Sequence, residues 1–488
     1  MRLKVKNLAL GAGRPVAFLH PEAAKKLNVH VGDRIELLFK GTKIIAVVDI
    51  MKKFLYPNYL SLSDEIIDYL NVKPGEFIDV SLAKEADSLD IIAKKMNGGY
   101  LNRKEILTII TDIVNNALTE AEIAYFILAV YEKKMSIKEI VYLTEAMCST
   151  GTILKWKKGE IIADKHSIGG IPGNRTTPLV VSICAAAGIK IPKTSSRSIT
   201  SAAGTADVME AITNVDFSAS TLKKIVERAG ACLAWGGSIG LAPADDRLIR
   251  IERIIDIDPE SQLIASILSK KIAVGSKYVL IDIPYGENAK VTNKEAKKLG
   301  RKFIAVGKSF GLKVRIVLTD GSQPIGNGVG PILEIMDILK VLKRDNSPRD
   351  LEEKSLFLAA NLLEMVGKAP KGKGISLAKE ILDSGKALKK FEQIISAQGK
   401  KNNFLKLARF KHDIIATNSG TVKTLHNKAI NHIGRLLGCP IDKGAGLYLF
   451  KHKGDSFEKG DVLITLYSES KIKLKEAIHY FNSSKPIH

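Results

Sequence analysis

The sequence predicts a multidomain α/β protein, and three observations carry that prediction. The chain has 488 residues, more than the roughly 250 to 300 that a single hydrophobic core normally serves. Its composition, 45% hydrophobic and 26% charged, is typical of globular proteins that bury a large core. Apolar residues follow short alternating runs at first, then helical spacing, and then strands that alternate with helices.

Residues 1–84 predict a small β-rich domain, because β-branched runs such as RIELLF and TKIIAVVDIM are separated by glycine turns. Residues 85–160 predict a helical lobe, which is also expected to receive later helices. Three helices there open with capping-box pairs, namely Asn102 with Glu105, Thr119 with Glu122, and Ser136 with Glu139. We therefore expect these glutamates to be structural and not catalytic.

Residues 161–345 predict an α/β domain. Apolar strands such as YVLIDIP and KVRIVLTD alternate with helices there, which favours a largely parallel sheet. A polar segment with a proline, residues 344–350, indicates a linker or long turn. Residues 346–488 then predict a C-terminal α+β domain.

Charge and cysteine usage narrow the class of protein. The net charge of +22 favours anionic partners, which could be nucleic acid, a membrane surface or phosphorylated metabolites. The four cysteines form no CxxC pair, which is typical of a reducing cytosol and speaks against a zinc site. No signal peptide is recognisable, and no apolar run reaches the roughly 18 residues of a membrane span. We expect a cytoplasmic protein without a membrane partner.

The stretch DKHSIGGIPGNRTT, residues 164–177, joins a predicted strand to a predicted helix. Backbone N–H groups of its glycines and the helix N-terminus would attract an anion, beside Lys165 and Ser167. It is not a Walker A loop, because Asn174 and Arg175 stand where that motif needs glycine and lysine. The local pattern fits either a phosphate site or a glycine-rich turn with an incidental lysine.

A second stretch, TSSRSITSAAGTADVMEAI, surrounds Arg197 with small hydroxyl side chains and leads into a helix from about Ala206. Hydroxyls can donate to phosphate or ribose oxygens, and an arginine can fork across a phosphate. A serine-rich surface loop is the alternative interpretation. Two such loops, each leading into a helix, favour anion binding for both.

Further candidates follow in the chain. Asp258 precedes Pro259, a position typical of a helix N-cap. The alternative is a general acid, which would need a raised pKa. Ser266 and Lys270 are four residues apart and would share one helix face. Lys290 follows a strand that ends at Pro284, where open α/β sheets bind ligands, but with 74 Lys and Arg it could equally be solvated. No cluster of His, Asp and Glu indicates a metal site.

The motifs KHSIGG, S-x-R, GT-x-D, APADDR and SILSKK occur in this order. Together they resemble the thymidine and pyrimidine-nucleoside phosphorylase family, which shares its core fold with anthranilate phosphoribosyltransferase. The resemblance runs from about residue 95 to the C-terminus. It implies a helical lobe facing an α/β lobe across a cleft, where inorganic phosphate displaces a nucleobase from C1′ of a sugar. It also implies a homodimer, or a larger homo-oligomer built with the N-terminal domain.

Family roles transfer by position onto residues of this chain. Phosphate binding falls on Lys165, Ser167, Ser195 and Thr205, with Thr177 near the place of another hydroxyl, and the base-side pair falls on Ser266 and Lys270. Pyrimidine-specific members carry a tyrosine and an arginine where this chain has Leu248 and Ile251. An arginine that hydrogen-bonds a carbonyl cannot be replaced by isoleucine without loss of that discrimination.

In these departures the chain resembles the archaeal AMP phosphorylase branch. That branch also has the N-terminal module and the GGIPGN and SSRSITS loops. The similarity covers essentially the whole chain. It implies phosphorolysis of AMP, and also CMP and UMP, to a free base and ribose 1,5-bisphosphate, with phosphate as co-substrate and no cofactor or metal. Asp258 would be the proton donor, and Arg197 would hold the 5′-phosphate, with a second cationic contact from Lys290 equally possible. The implied nucleotide-binding set is Gly169, Ser196, Arg197, Ser198, Ile199, Thr200, Ser201, Thr205, Ser266, Lys270 and Lys290.

Two alternatives stay open. The chain could be a pyrimidine-nucleoside phosphorylase with a rebuilt base pocket. It could also be an RNA-binding protein on a retired enzyme scaffold. Against the second, aromatic residues make up only 6% and the charge is dispersed, so we expect no nucleic-acid partner.

Overall fold

A computed structural model of the chain describes residues 1–198, 201–401 and 405–487. They form two compact units. One unit comprises Met1–Thr150 and Pro243–Gln262, and the other comprises Gly151–Ala242 and Leu263–His488. None of the helices in the described ranges is both long enough and apolar enough to cross a membrane.

The elements are numbered in chain order. The strands are β1 (Arg2–Val5), β2 (Val16–Leu19), β3 (Arg34–Phe39), β4 (Thr42–Ile50), β5 (Tyr59–Leu62), β6 (Phe77–Leu82), β7 (Ala163–Ser167), β8 (Ile191–Ser195), β9 (Ala231–Trp235), β10 (Tyr278–Tyr285), β11 (Lys313–Asp320), β12 (Gly328–Val329), β13 (Phe410–Ile415), β14 (Gly420–Thr421), β15 (Gly446–Leu449), β16 (Ser456–Phe457) and β17 (Val462–Ser468). The helices are α1 (Pro21–Leu27), α2 (Asp64–Leu70), α3 (Ser88–Met96), α4 (Arg103–Val114), α5 (Glu120–Lys133), α6 (Ile137–Ser149), α7 (Thr176–Ala186), α8 (Thr205–Glu210), α9 (Ala219–Ala229), α10 (Pro243–Ile255), α11 (Glu260–Ala273), α12 (Asn293–Ser309), α13 (Pro331–Lys343), α14 (Arg349–Met365), α15 (Gly374–Asp383), α16 (Lys386–Ala397), α17 (Asn427–Leu437) and α18 (Lys471–Ser484).

The N-terminal part of the first unit is a closed barrel with strand order β1-β5-β2-β4-β3-β6. Alternation along β3 buries Ile35, Leu37 and Phe39 inside the barrel, as the period of two of a strand requires. Closure pairs every strand on both sides, so the barrel leaves no exposed sheet edge.

The rest of the first unit is helical. Helices α4, α5 and α6 begin with the three capping boxes that the sequence predicts, with both hydrogen bonds present in each. Glu139 of the third box also forms a buried ion pair with Lys95 of α3, in which Nζ and Oε1 are 2.8 Å apart. Helix α10 comes from much later in the chain and packs against α4 and α5.

The core of the second unit is a parallel sheet. Strand β10 lies between β11 and β7, and all three are parallel. A parallel bridge from Ile162 to Lys190 continues the sheet towards β8, which pairs in parallel with β9. The carboxyl ends of these strands, at Ser167, Ser195 and Trp235 among others, therefore meet at one edge.

The expected boundary at residue 346 does not coincide with a change of core. Helices α14, α15 and α16 pack against α7, and their apolar residues belong to the same cluster as those of the parallel sheet. A separate core begins further along the chain, around the sheet of order β12-β15-β17-β13 with α17 and α18. The helices within residues 349–397 thus belong to the α/β domain and not to the C-terminal domain.

Candidate active site

Two hydroxyl groups mark the carboxyl edge of the parallel sheet. Ser167 ends β7 and Ser195 ends β8. Their Oγ atoms are buried and lack a hydrogen-bond partner among the residues that the structure describes. Buried polar atoms are nearly always paired, so two of them on neighbouring strand ends indicate a place for a polar ligand. Both residues were singled out by the sequence as phosphate ligands.

Lys165 lies two residues before the end of β7 and is only 1% exposed. Its Nζ donates to Thr176 Oγ1 at 2.8 Å and to Thr177 Oγ1 at 3.5 Å, at the start of α7. Burial lowers the pKa of Lys165 to about 8, although the nearby Asp282 carboxylate partly opposes this. An anion that entered the site would stabilise the ammonium form.

Three buried lysines that sequence reasoning missed lie in the same region. Lys271 Nζ is 2.6 Å from Asp164 Oδ2, and Lys193 Nζ is 3.8 Å from Asp164 Oδ1. Lys354 Nζ is 3.7 Å from Asp282 Oδ2.

Burial lowers the pKa of Lys193 to about 7. Together with Lys165, the three lysines make four around Asp164 and Asp282. When all six groups are ionised, this lysine cluster has an excess of two positive charges. The sequence contained one signal for it, Asp282 inside the otherwise apolar strand β10, where burial of a charge is costly.

His166 follows Lys165 on β7. Its pKa lies well below the usual value, because it is buried and because Lys271, Lys193, Lys165 and Lys270 add positive charge around it. The imidazole is therefore neutral at physiological pH. In that form it offers one hydrogen-bond donor and one acceptor without adding charge.

The loop between β8 and α8, here called the second loop, is held by a carboxylate and a guanidinium. Asp207 Oδ2 accepts hydrogen bonds from the backbone N–H groups of Ser198 at 2.6 Å and Gly204 at 2.9 Å. Arg175 donates to Thr205 Oγ1 and to the Ala203 carbonyl, both at 2.9 Å, and pairs with Glu334. Arg175 of the first stretch thus anchors the second, a role that the sequence did not reveal.

Arg197 makes several contacts within the protein. Its guanidinium contacts Glu210 at 2.7 and 2.9 Å and Asp207 at 3.2 Å, and lies 4.7 Å from the centre of the Trp235 ring. The hydrogen bonds to Glu210 raise the pKa of Arg197. Two carboxylates therefore already balance the charge that was predicted to hold a 5′-phosphate.

Gly169 and Gly170 both have positive φ, +84° and +92°. A Cβ on Gly170 would lie 3.0 Å from Cγ of Lys290, so the stem of Lys290 lies against the loop between β7 and α7, here called the first loop. Positive φ and this close approach together require glycine at position 170. The structure thus places Lys290 against Gly170, the residue that follows the predicted nucleotide-binding Gly169.

The remaining predicted residues lie as follows. Ser266 and Lys270 are half-buried on α11. Ser196, Ser198 and Ser201 lie in the second loop, where Ser201 Oγ donates to the Ala203 carbonyl at 2.7 Å. Ile199 and Thr200 lie outside the described residues.

Asp258 belongs to the first unit, just before α11, and its role as an acid stays a prediction. The two positions that replace base-reading residues, Leu248 and Ile251, are 0% and 2% exposed on α10. Among the described residues, no group of three or more His, Cys, Asp or Glu is arranged to hold a metal ion.

A parallel sheet that carries the two loops predicted to bind anions, here called the anion loops, at its carboxyl edge, in a chain that also has a helical bundle, is the architecture of nucleoside phosphorylases and phosphoribosyltransferases. Family models agree with this class. The model described as the glycosyl transferase family, a/b domain, matches residues 159–388, and its helical bundle domain matches residues 89–151. The pyrimidine nucleoside phosphorylase C-terminal domain matches residues 421–488.

The chain belongs to the AMP phosphorylase family. It is 42% identical over 492 residues to the AMP phosphorylase of Pyrococcus furiosus, covering 100% of this chain and 97% of that protein. It is also 42% identical to the AMP phosphorylase of Methanococcus aeolicus, covering 99% and 97%. A putative thymidine phosphorylase of Ralstonia nicotianae is 41% identical and covers 98% and 95%.

Among solved structures, anthranilate phosphoribosyltransferase from Thermus thermophilus has a similar fold. The TM-score is 0.54 at 16% identity, over 63% of this chain and 99% of that one. The likeness concerns the fold alone. It confirms the expected similarity of the core fold to anthranilate phosphoribosyltransferase.

Proposed function

We propose that the protein catalyses the phosphorolysis of AMP by inorganic phosphate, which yields adenine and ribose 1,5-bisphosphate. The observation that carries this proposal is the lysine cluster, of which Lys165 and Lys193 lie two residues before the buried hydroxyls of Ser167 and Ser195 on β7 and β8. In its fully ionised form the cluster has an excess of two positive charges, which matches a phosphate dianion. Because burial lowers the pKa of Lys193 to about 7 and that of Lys165 to about 8, a bound dianion would favour the ammonium form of both. Family membership supplies the nucleotide as the second reactant.

Phosphate would bind between the strand ends of β7 and β8. Ser167 and Ser195 would donate to its oxygens, and the Lys165 ammonium, already oriented by Thr176 and Thr177, would face it. Thr205 would contribute its hydroxyl, which Arg175 holds in place. Charge-assisted hydrogen bonds of this kind are about twice as strong as neutral ones.

In the reaction, a phosphate oxygen forms a bond to C1′ of the ribose while the bond from C1′ to the base nitrogen breaks. The electron pair of that bond leaves with the base, which takes up a proton. Asp258 is the proposed donor of that proton. The developing positive charge on the sugar is stabilised by the attacking dianion, and exclusion of water from the buried site prevents hydrolysis.

The nucleotide would lie against Gly169, the second loop, Ser266 and Lys270. For its 5′-phosphate we favour Lys290 over Arg197, because Arg197 already faces Glu210 and Asp207 while Lys290 lies against the first loop. No metal or organic cofactor takes part in this scheme. Use of CMP and UMP, and assembly into a homodimer or larger oligomer, are further parts of the proposal.

The test is a substrate panel. The full-length protein is incubated with AMP, CMP, UMP, adenosine, uridine or thymidine, with and without phosphate, and the released base is quantified by chromatography. We expect adenine from AMP only when phosphate is present, and a loss of most of the rate in Asp258→Asn. Cleavage of adenosine or thymidine without action on AMP would refute the nucleotide assignment.

A further inference from the structure

One face of α17, in the C-terminal domain, lies against the loops at the carboxyl edge of the parallel sheet. Asn427, Asn431 and Arg435 are spaced four residues apart and so project from the same side of the helix. We call these three residues the polar stripe. The apolar residues of α17, Ile430, Ile433 and Leu437, are the ones that fill the C-terminal core. The polar stripe is therefore not needed to build that core.

Asn431 joins the two anion loops through a single side-chain amide. Its Oδ1 accepts a hydrogen bond from the backbone N–H of Ala202 at 3.0 Å, in the second loop. Its Nδ2 donates to the carbonyl of Gly170 at 3.4 Å, in the first loop. The residue is 4% exposed, so water competes little for either bond.

The neighbours of Asn431 on the stripe hold further loops. Asn427 Nδ2 donates to the carbonyls of Asn288 at 3.0 Å and Gly321 at 2.9 Å, in the loops that follow β10 and β11. Arg435 reaches the Ser201 carbonyl at 3.5 Å.

The helix backbone also approaches the second loop closely. A Cβ on Gly434 would lie 2.6 Å from Cβ of Ala202, so this position has no room for a larger residue without a shift. One helix thus contacts loops from four adjacent parallel strands.

We propose that Asn431 is a positioning residue, and that the polar stripe holds the two anion loops at the spacing that the reaction requires. This inference rests on the proposed function, in which the first loop binds the attacking phosphate and the second binds the nucleotide. Reactants must meet at about 3 to 3.5 Å, and a shift of 1 Å can cost on the order of 100-fold in rate. A linker between their loops would therefore act on the chemical step more than on the binding of either reactant.

The chemistry of the linker makes the proposal specific. An asparagine amide provides one acceptor and donors on the same group, as Ala202 N–H and the Gly170 carbonyl require. Aspartate would keep the acceptor for Ala202 but would face the Gly170 carbonyl with a second acceptor. Asn431→Asp should therefore retain one contact, and Asn431→Ala neither.

The kinetic test compares Asn431→Ala and Asn431→Asp in the full-length enzyme. Lys428→Ala is the matched control, because Lys428 is exposed on the same helix. We expect kcat with AMP and phosphate to fall at least tenfold in Asn431→Ala, with each KM changed less than threefold, and to be intermediate in Asn431→Asp. The control should match the wild type. An unchanged kcat in Asn431→Ala would overturn the positioning role.

A second measurement does not depend on activity. Hydrogen exchange of the free enzyme is followed in peptides covering residues 168–175 and 201–206, with residues 184–192 as reference. We expect both loops to exchange faster in Asn431→Ala than in the wild type. The reference peptide should exchange at the same rate in both proteins. Unchanged loops, or faster exchange throughout, would overturn the inference. A wild type without phosphorolysis would refute the proposed function, and the exchange data would still decide whether α17 holds the loops.

Discussion

Ser167 and Ser195 carry the clearest residue-level signature of the site. Each ends a parallel strand, and each hydroxyl lacks a hydrogen-bond partner in the described part of the protein. Such groups contribute little to folding, because they form no internal bond that a substitution would break. Their contribution should appear only when a ligand is bound.

We therefore expect Ser167→Ala or Ser195→Ala to raise the KM for phosphate about 10- to 100-fold, since a hydrogen bond to a charged group is worth roughly 1.5 to 3 kcal/mol. The KM for AMP should change less in Ser167→Ala. Steady-state kinetics with varied phosphate measures this effect, and thermal unfolding should show a midpoint that is not lowered, since an unpaired buried hydroxyl does not stabilise the fold.

Ser182→Ala is the matched control, because that hydroxyl is also buried but donates to the Pro178 carbonyl within α7 at 2.7 Å. Its KM for phosphate should equal that of the wild type. Equal phosphate KM values in Ser167→Ala, Ser195→Ala and the control would remove these serines from the phosphate site.

Lys165 links phosphate binding to pH. Its folded pKa is lowered to about 8 by burial, below the value of about 10.4 in an unfolded chain. The free enzyme therefore loses this positive charge as the pH rises through 8, and a bound dianion must first restore it. We expect the Kd for inorganic phosphate to rise towards tenfold per pH unit between pH 8 and 9.5, measured by titration calorimetry.

The same shift has a stability consequence. Between pH 8 and 10 the unfolded chain binds more protons at this lysine than the folded chain, so the contribution of Lys165 to the free energy of unfolding increases with pH there.

The control for the binding prediction is Lys165→Arg, which keeps its charge throughout and should abolish the pH dependence of phosphate binding above pH 8. A wild-type Kd that is constant over this range would contradict the assignment of Lys165.

At the scale of elements, local patterns were the most predictable. The capping boxes of α4, α5 and α6 depend on residues three positions apart, and all three are present. The strands β10 and β11 follow from apolar runs. The packing of α14 to α16 on α7 was not predictable, because an apolar helix face indicates that it is buried and does not indicate against which partner.

The contrast between Lys165 and Lys193 shows the same limit at the site. Lys165 stands in a recognisable motif beside glycines, whereas Lys193 is one of 74 Lys and Arg residues with no motif around it. Only the pairing of β8 beside β7 places it within 3.8 Å of Asp164. Asn431 likewise has no local signature, since its partners Gly170 and Ala202 are more than 220 positions away.

At the scale of the whole molecule, the chain is an assembly of separate cores. The N-terminal barrel has its own cluster of buried residues, from Leu3 to Val80, and no open sheet edge. Its contacts with the helical part of the same unit include Arg34 with Glu122 at 3.0 Å and Asn116 Nδ2 with the Ile45 carbonyl at 2.9 Å.

We expect a fragment of residues 1–84 to fold alone. Its closed barrel buries a complete apolar core, although a domain of this size is only marginally stable. Circular dichroism should show β structure with a cooperative thermal transition, and nuclear magnetic resonance should show dispersed amide signals. Random-coil spectra would show that the barrel needs the helical part.

The sequence by itself determined the class of protein, the family and the residues of the two anion loops. These features depend on short motifs, whose chemistry is set by residues close together in the chain. Only the tertiary structure decided which lysines surround Asp164 and Asp282, that Arg197 faces two carboxylates, and that α17 contacts both loops. Each of these depends on burial and on contacts between distant segments, and those arise only when the chain has packed.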